Sequence, residues 1–144
     1  MSNRDILLNG YYTRLWTTTG KAPTEDKILR LDGHTIKARS SLIIWVKPSE
    51  CDLTVEEFNE HYGVMLQEGS DIIVTMIPAI SSAKETRRLE LMFEKETIAR
   101  AEYNFKQQPG ADINPGKAIT YDVKPTLTGT SQMISNSADP DPSL

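Results

Sequence analysis

Thr86–Lys106, which reads TRRLELMFEKETIARAEYNFK, is the stretch that decides the fold. Its Glu, Lys, Arg, Leu and Met content favours helix, and Ser82 with Glu85 just upstream has the form of a capping box. The apolar spacing points elsewhere. At about 100° per residue, Leu89, Phe93 and Tyr103 fall on one face, and Leu91, Ile98 and Phe105 fall opposite. At period two, Leu89, Leu91 and Phe93 align. So do Ala99, Ala101, Tyr103 and Phe105, opposite Arg100, Glu102 and Asn104. Burial pattern outweighs local propensity in a packed domain, so a β-hairpin turning near Lys95 is expected, although its turn lacks Gly or Asn.

Working outward, the N-terminal part also reads as strands. Asn9-Gly10 is a favoured two-residue turn between Ile6–Leu8 and the aromatic, β-branched run Tyr11–Thr18. Asp32-Gly33 is another, between Ile28–Leu31 and a long strand from Thr35 to Val46, interrupted at Ser40. From Ile43 and Trp45 onward both faces of that strand are apolar, so its end is expected to be buried on both sides. Pro48 stops it.

A helix should follow. Thr54 and Glu57 form a capping box, with Leu53 and Phe58 placed as a hydrophobic staple. Val55, Phe58, Tyr62 and Met65 or Leu66 recur at helical spacing. Gly69 is a natural stop, and Gly63 an earlier one. Ile72, Ile73, Val74 and Ile77 then read as a buried strand closed by Pro78. After a loop with two Pro-Gly pairs, Ile119, Tyr121 and Val123 alternate in a last strand before Pro125. Residues 126–144 are rich in Ser, Thr, Asp and Pro, and read as a disordered tail or an arm that orders on a neighbour.

Composition narrows the class. The chain has 144 residues, 25% charged and 38% apolar, enough for one domain with its own core. Its single cysteine, Cys51, excludes an intrachain disulfide framework and suits a reducing compartment. Ile6–Leu8 is too short for the apolar region of a signal peptide, and Leu42–Val46 falls far below a membrane span. A cytoplasmic location, or assembly in a cytoplasm into a particle, is expected. The net charge of −4 is uneven: residues 1–50 carry +3, which leaves −7 for the rest. Such asymmetry suits a head-to-tail contact between copies or an anionic partner.

Motifs for chemistry are absent. Cys51 precedes a helix N-terminus, but Glu50 and Asp52 flank it and oppose thiolate formation. Glu56, Glu57, Glu60 and His61 share a helical stretch, yet no second His or Cys cluster completes a metal site, and a solvated acidic face is the expected reading. No Gly-rich phosphate loop and no nucleophile elbow occurs. Arg30, Lys37 and Arg39 are expected to cluster on the second hairpin, with Lys84, Arg87 and Arg88 as a smaller group. Near Tyr11, Tyr12 or Trp16 they could hold single-stranded nucleic acid, but a sequence pI near 5.2 argues against it. Trp16, Tyr11, Tyr12 and Trp45 are expected in the core or in a subunit contact.

The combined expectation is a mainly β (α+β) domain over residues 1–125. It has about eight antiparallel strands, as a sandwich or partly closed barrel, with one helix near 55–67 and a polar tail or arm over 126–144. The expected function is that of a non-enzymatic structural or interaction protein. It would act as a homo-oligomeric subunit, of a kind suited to virus or phage particles, without cofactor, metal or catalytic residue. The interface candidates are Tyr11, Tyr12, Trp16, Arg30, Lys37 and Arg39. Alternatives are a small β-barrel that binds an apolar ligand under a lid of Phe58, Tyr62 and Met65, and an acidic inhibitor or immunity-type protein that covers a basic partner. Neither membrane nor nucleic acid is an expected partner.

Overall fold

The computed structural model describes residues 2–17, 21–78, 80 and 87–102, with the backbone of 103, 118–121 and 133–137. The fold is mainly β. Eight strands lie between residues 6 and 103, with one α-helix, and most pairings are antiparallel. The chain divides into two compact units, Met1–Asn9 with Leu31–Ile77, and Gly10–Arg30 with Pro78–Leu144. Among the described residues no sheet closes into a barrel, and no helix is long and apolar enough to cross a membrane.

In the first unit, β1 (Ile6–Leu7) pairs antiparallel with β4 (Thr35–Ile36). In the second unit, β2 (Tyr11–Trp16) pairs with β3 (Ile28–Arg30) and, on its other side, with β7 (Arg87–Phe93). The two expected hairpins are therefore not made. The turns themselves are present, with Gly10 at φ 83° and Gly33 at φ 81°. Each turn joins strands that find their partners elsewhere. Gly33 N–H donates to Asn9 Oδ1 at 2.8 Å, so the two turn dipeptides are tied to each other.

The long strand expected over Thr35–Val46 is also corrected. It breaks after Ile36 and resumes as β5 (Ile43–Val46). Between them Arg39 takes a left-handed φ of 57°, Ser40 N–H donates to Lys37 O at 3.0 Å, and Ala38 N–H donates to Asp5 Oδ1 at 2.8 Å. These side-chain and turn bonds satisfy backbone groups that a strand would have presented to a ladder. All four β5 residues are half-buried, where burial on both faces was expected.

β5 pairs with β6 (Ile72–Thr75) in parallel, the exception to the expected antiparallel order. A parallel pair needs a crossover, and the helix α1 (Val55–Tyr62) supplies it. The capping box forms as its sequence requires: Glu57 N–H donates to Thr54 Oγ1 at 3.2 Å, and Thr54 N–H donates to Glu57 Oε2 at 2.8 Å. The helix stops at Tyr62, short of the expected 67. Gly63 adopts φ 65° there and Val64 N–H bonds back to Asn59 O. Met65, assigned to the helical stripe, is 94% exposed. Leu8, Leu31, Val55, Ile72, Ile73 and Ile77 are this unit's buried apolar residues.

The deciding stretch is a hairpin. β7 pairs antiparallel with β8 (Glu96–Tyr103), and the turn is Glu94-Lys95. Glu94 has φ 50°, a conformation that usually calls for Gly. Its N–H donates to Gly10 O at 2.9 Å and its carbonyl accepts from the Tyr12 hydroxyl at 2.8 Å. Contacts from β2 thus hold a turn that lacks the usual turn residues. Gly10 is required here twice over: its φ is positive, and a Cβ would sit 3.0 Å from the Phe93 ring. The completed sheet has the order β3-β2-β7-β8.

A further antiparallel pair joins β9 (Ala118–Tyr121) to β10 (Met133–Ser137). β9 covers most of the expected last strand, while Val123 lies outside the described residues. β10 is a strand inside the polar stretch 126–144, where composition suggested a tail or arm.

Candidate functional site

Alternation along β2, β7 and β8 gives the four-stranded sheet two unlike faces. Leu29, Thr13, Leu91 and Ala99 stand in register on one face, beside Leu15, Leu89 and Ala101. The opposite face is charged. One row runs Ile28, Arg14, Glu90, Arg100, and the next runs Trp16, Arg88, Glu102. The period-two reading assigned Leu89, Leu91, Ala99 and Ala101, opposite Arg100 and Glu102, to these faces correctly, while Asn104 and Phe105 lie outside the described residues.

Burial does not follow polarity. Glu90 and Met92 on the charged face are buried at 4% and 2%, while Leu89 and Leu91 are half-buried. The reason is a network centred on Glu90. Its Oε2 accepts from Arg14 Nε and from the Trp16 indole N–H, both at 2.6 Å, and Arg88 Nε lies 3.4 Å from Oε1. The Arg14 and Arg88 guanidinium groups lie 5.1 and 4.6 Å from the Trp16 ring centroid, the range of cation–π attraction. Long arginine stems and the indole therefore cover a carboxylate that carries its compensating charges with it. Arg87, also buried, donates from Nη1 to Thr17 O at 2.9 Å.

The two outer edges of this sheet differ. β3 is three residues long and bordered by the Arg30–Glu25 ion pair at 3.2 Å. β8 is eight residues long, about 26 Å of backbone. Among the described residues no strand pairs with its outer edge. A short charged edge is a common defence against pairing with another chain, whereas a long open edge is a template for it. β8 carries one irregularity, a bulge at Ile98, between the pairs Leu91–Ala99 and Met92–Thr97. Ala99–Tyr103 beyond it is regular.

The structure distributes the expected interface residues. Tyr12, Trp16 and Arg30 share the charged face, where Arg30 lies 5.9 Å from the Tyr12 ring centroid. Tyr11 is on the apolar face against Phe93, at 4.7 Å between centroids. Lys37 and Arg39 belong to the other unit, so the basic trio does not stand on one hairpin. Lys37 pairs with Asp5 at 3.7 Å, and Arg39 N–H bonds Ser2 O. Lys84 lies outside the described residues.

A second feature lies within the first unit. Trp45 of β5 meets Phe58 of α1 at 4.9 Å, Phe58 meets Tyr62 at 4.5 Å, and Tyr62 meets His61 edge-on at 4.7 Å. With Leu53 and Glu57 they line an open cleft of about 440 Å³. Leu53 is half exposed, so the staple position opens to solvent. The Lys47 ammonium sits 5.0 Å from the Trp45 ring centroid and donates to Leu53 O. Among the described residues no three His, Cys, Asp or Glu side chains are grouped to hold a metal. Cys51 is half-buried with a free thiol.

Sequence reasoning missed the hub, Glu90. Its one signal is an acid set inside the apolar run Leu89–Phe93. Comparison with family models, with curated proteins and with solved structures finds no match for this chain.

Proposed function

We propose that the protein is a non-enzymatic structural or interaction subunit that associates with copies of itself in a cytoplasm, in an assembly of the kind that builds virus or phage particles. The eight-residue edge of β8, which no strand pairs among the described residues, supports this reading. A sheet edge eight residues long loses little order on pairing, and every ladder bond gained satisfies a backbone group already fixed in place. The half-buried Leu89 and Leu91 support it too, since an apolar sheet face is what a sandwich covers with a second layer. Light scattering over concentration and salt tests the reading. A discrete oligomer or polymer that grows with concentration is the expected result, and a strict monomer at high concentration and low salt overturns it.

The aromatic cleft favours a second reading, that of an apolar or aromatic ligand bound between Trp45, Phe58 and Tyr62 without a barrel. A screen of small aromatic compounds should then raise the melting temperature and quench Trp45 fluorescence. No shift across such a library rejects it.

A further inference from the structure

We infer that the cleft between β5 and α1 binds a small organic cation with a methylated ammonium head, of the kind choline carries. The inference rests on the second reading above, a ligand held between Trp45, Phe58 and Tyr62, and names that ligand's chemistry. Four observations lead to it.

The first is place and size. The six residues that line the cleft all belong to the first unit. Among the described residues, the hydrogen bonds, ion pairs and ring contacts of these six stay within that unit. The volume of about 440 Å³ falls within the small-molecule range, about 300–1,000 Å³.

The second is the wall. Phe58 and Tyr62 are four residues apart on α1, as are Glu57 and His61, so the helix turns these side chains to the side where Trp45 stands. Successive rings are tilted by 50° and 46°, which makes a folded aromatic wall and not a flat stack. Each ring face carries the negative lobe of its quadrupole, and several such faces around one opening attract a cation.

The third is charge. Trp45–Tyr62 contains five carboxylates, Glu50, Asp52, Glu56, Glu57 and Glu60, against the single lysine Lys47. Among the described residues none of the five is in an ion pair. Glu57 lines the cleft itself, and the Thr54 N–H bonded to its Oε2 at 2.8 Å leaves its charge in place. An anionic ligand would enter against this field, and a neutral one would gain nothing from it.

The fourth is Lys47. Its ammonium lies 5.0 Å from the Trp45 ring centroid, so this ring already holds one cation. Lys47 is tied to Leu53 O and is not a lining residue of the cleft. The head group follows from the polarity of the wall. A primary ammonium needs hydrogen-bond acceptors when it leaves water, and aromatic rings do not supply enough of them. A quaternary ammonium spreads its charge over methyl groups and suits ring faces.

Choline chloride titrated into the fluorotryptophan-labelled full chain tests this, with sodium chloride as the control for ionic strength. The comparison ligand is dimethylbutanol, which has choline's shape with carbon in place of nitrogen. Choline should shift the Trp45 signal saturably, leave the Trp16 signal in place, and bind about fivefold or more tightly than the neutral isostere. Two variants locate the effect. Glu57→Gln removes the charge and keeps an oxygen for the Thr54 cap. Tyr62→Leu removes a ring face and keeps apolar bulk. Each should weaken choline binding about threefold and leave the isostere nearly unchanged. Should either variant fail to fold, the comparison on the wild-type chain still decides. Equal or tighter binding of the isostere overturns the cation and leaves the cleft reading standing. So does failure of choline where small aromatic compounds still shift Trp45. A choline preference that survives both variants, or that moves Trp16 in place of Trp45, overturns this site. A chain in which neither choline, nor the isostere, nor any aromatic compound moves Trp45 or the melting temperature overturns both readings.

Discussion

The two units hold themselves together in different ways. Among the described residues of the unit containing β2, β3, β7 and β8, polar side chains bond mostly to one another: Arg14 and Trp16 to Glu90, Arg30 to Glu25, and Lys27 and Thr24 to Asp26, with Arg88 in an ion pair with Glu90. In the unit containing β1, β4, β5, α1 and β6, they bond mostly to backbone. Asp5 accepts from Ala38 N–H, Asn9 from Gly33 N–H, and Asp71 from Gln67 N–H, while Asn59 bonds both the N–H and the carbonyl of Leu66. His34 Nδ1 bonds Gly69 O. The difference follows from the strands. Long neighbouring strands satisfy their own backbone and leave side chains to choose the register. Short strands of two to four residues leave turn backbone unpaired, and side chains must satisfy it.

The sharpest way to break this contrast is to remove the apolar anchor of each unit. Leu15 and Ile72 are both fully buried. Leu15→Ala and Ile72→Ala should each cost about 4 kcal/mol in urea unfolding. Fluorotryptophan labelling gives one fluorine signal from Trp16 and one from Trp45, one in each unit. Separate midpoints for the two signals would show that the units unfold independently, and a shared midpoint that they are coupled.

Glu90→Ala comes next, at about 3 kcal/mol, since it strands two guanidinium groups and an indole N–H around the lost carboxylate. Glu90→Gln should cost less, because its carbonyl oxygen still accepts one of those bonds. The Trp16 signal should move in both variants while the Trp45 signal stays in place. A Trp45 shift of equal size would erase the distinction between the units.

Two substitutions of about 1 kcal/mol sharpen the comparison at the level of single bonds. Thr54→Ala removes the N-cap of α1 and should be read at Trp45, which stacks on Phe58 of that helix. Tyr12→Phe removes the hydroxyl bond to Glu94 O and should loosen the β7–β8 turn, seen as faster amide exchange at Glu94 and Lys95. The reverse assignment of the two responses would contradict the stated contacts.

The smallest effect is a pH dependence. Hydrogen bonds from Lys27 and then Thr24 hold the exposed Asp26 carboxyl below its ordinary value of 3.8. A depressed carboxylate stabilises the fold above the unfolded pKa, and that contribution is lost as pH falls through the lowered value. Asp26→Asn should therefore lower stability slightly above about pH 4, neutrality included, and leave it unchanged in more acid solution, where the wild-type contribution is already lost; urea unfolding over a pH series checks it.

Much of this was legible in the chain. Thr54 and Glu57 declared the helix start because a capping box is local chemistry, complete within four residues. The alternation of Leu89, Leu91 and Phe93 declared a strand, because side-chain direction in a strand is fixed by position alone. Gly10, Gly33 and Gly63 declared the sites of positive φ. Pairing was not legible in this way. Asn9-Gly10 and Asp32-Gly33 have the chemistry of hairpin turns, yet their flanking strands pair with more distant partners. Two apolar strands separated by a helix admit a parallel pair, which the antiparallel expectation passed over. Glu90 shows the limit most plainly: only the register that brings Arg14 opposite it explains an acid in an apolar run.

By itself, then, the sequence determined what is local: the helix cap, the turn positions, and the two faces of the strands β7 and β8 over their described residues. The tertiary structure alone decided which strands meet, that Glu90 is a buried hub, and that β8 is left with an unpaired edge among the described residues. Local conformation depends on a few neighbouring residues, whereas pairing is a competition among all edges of the chain, settled by burial and charge that no short window contains.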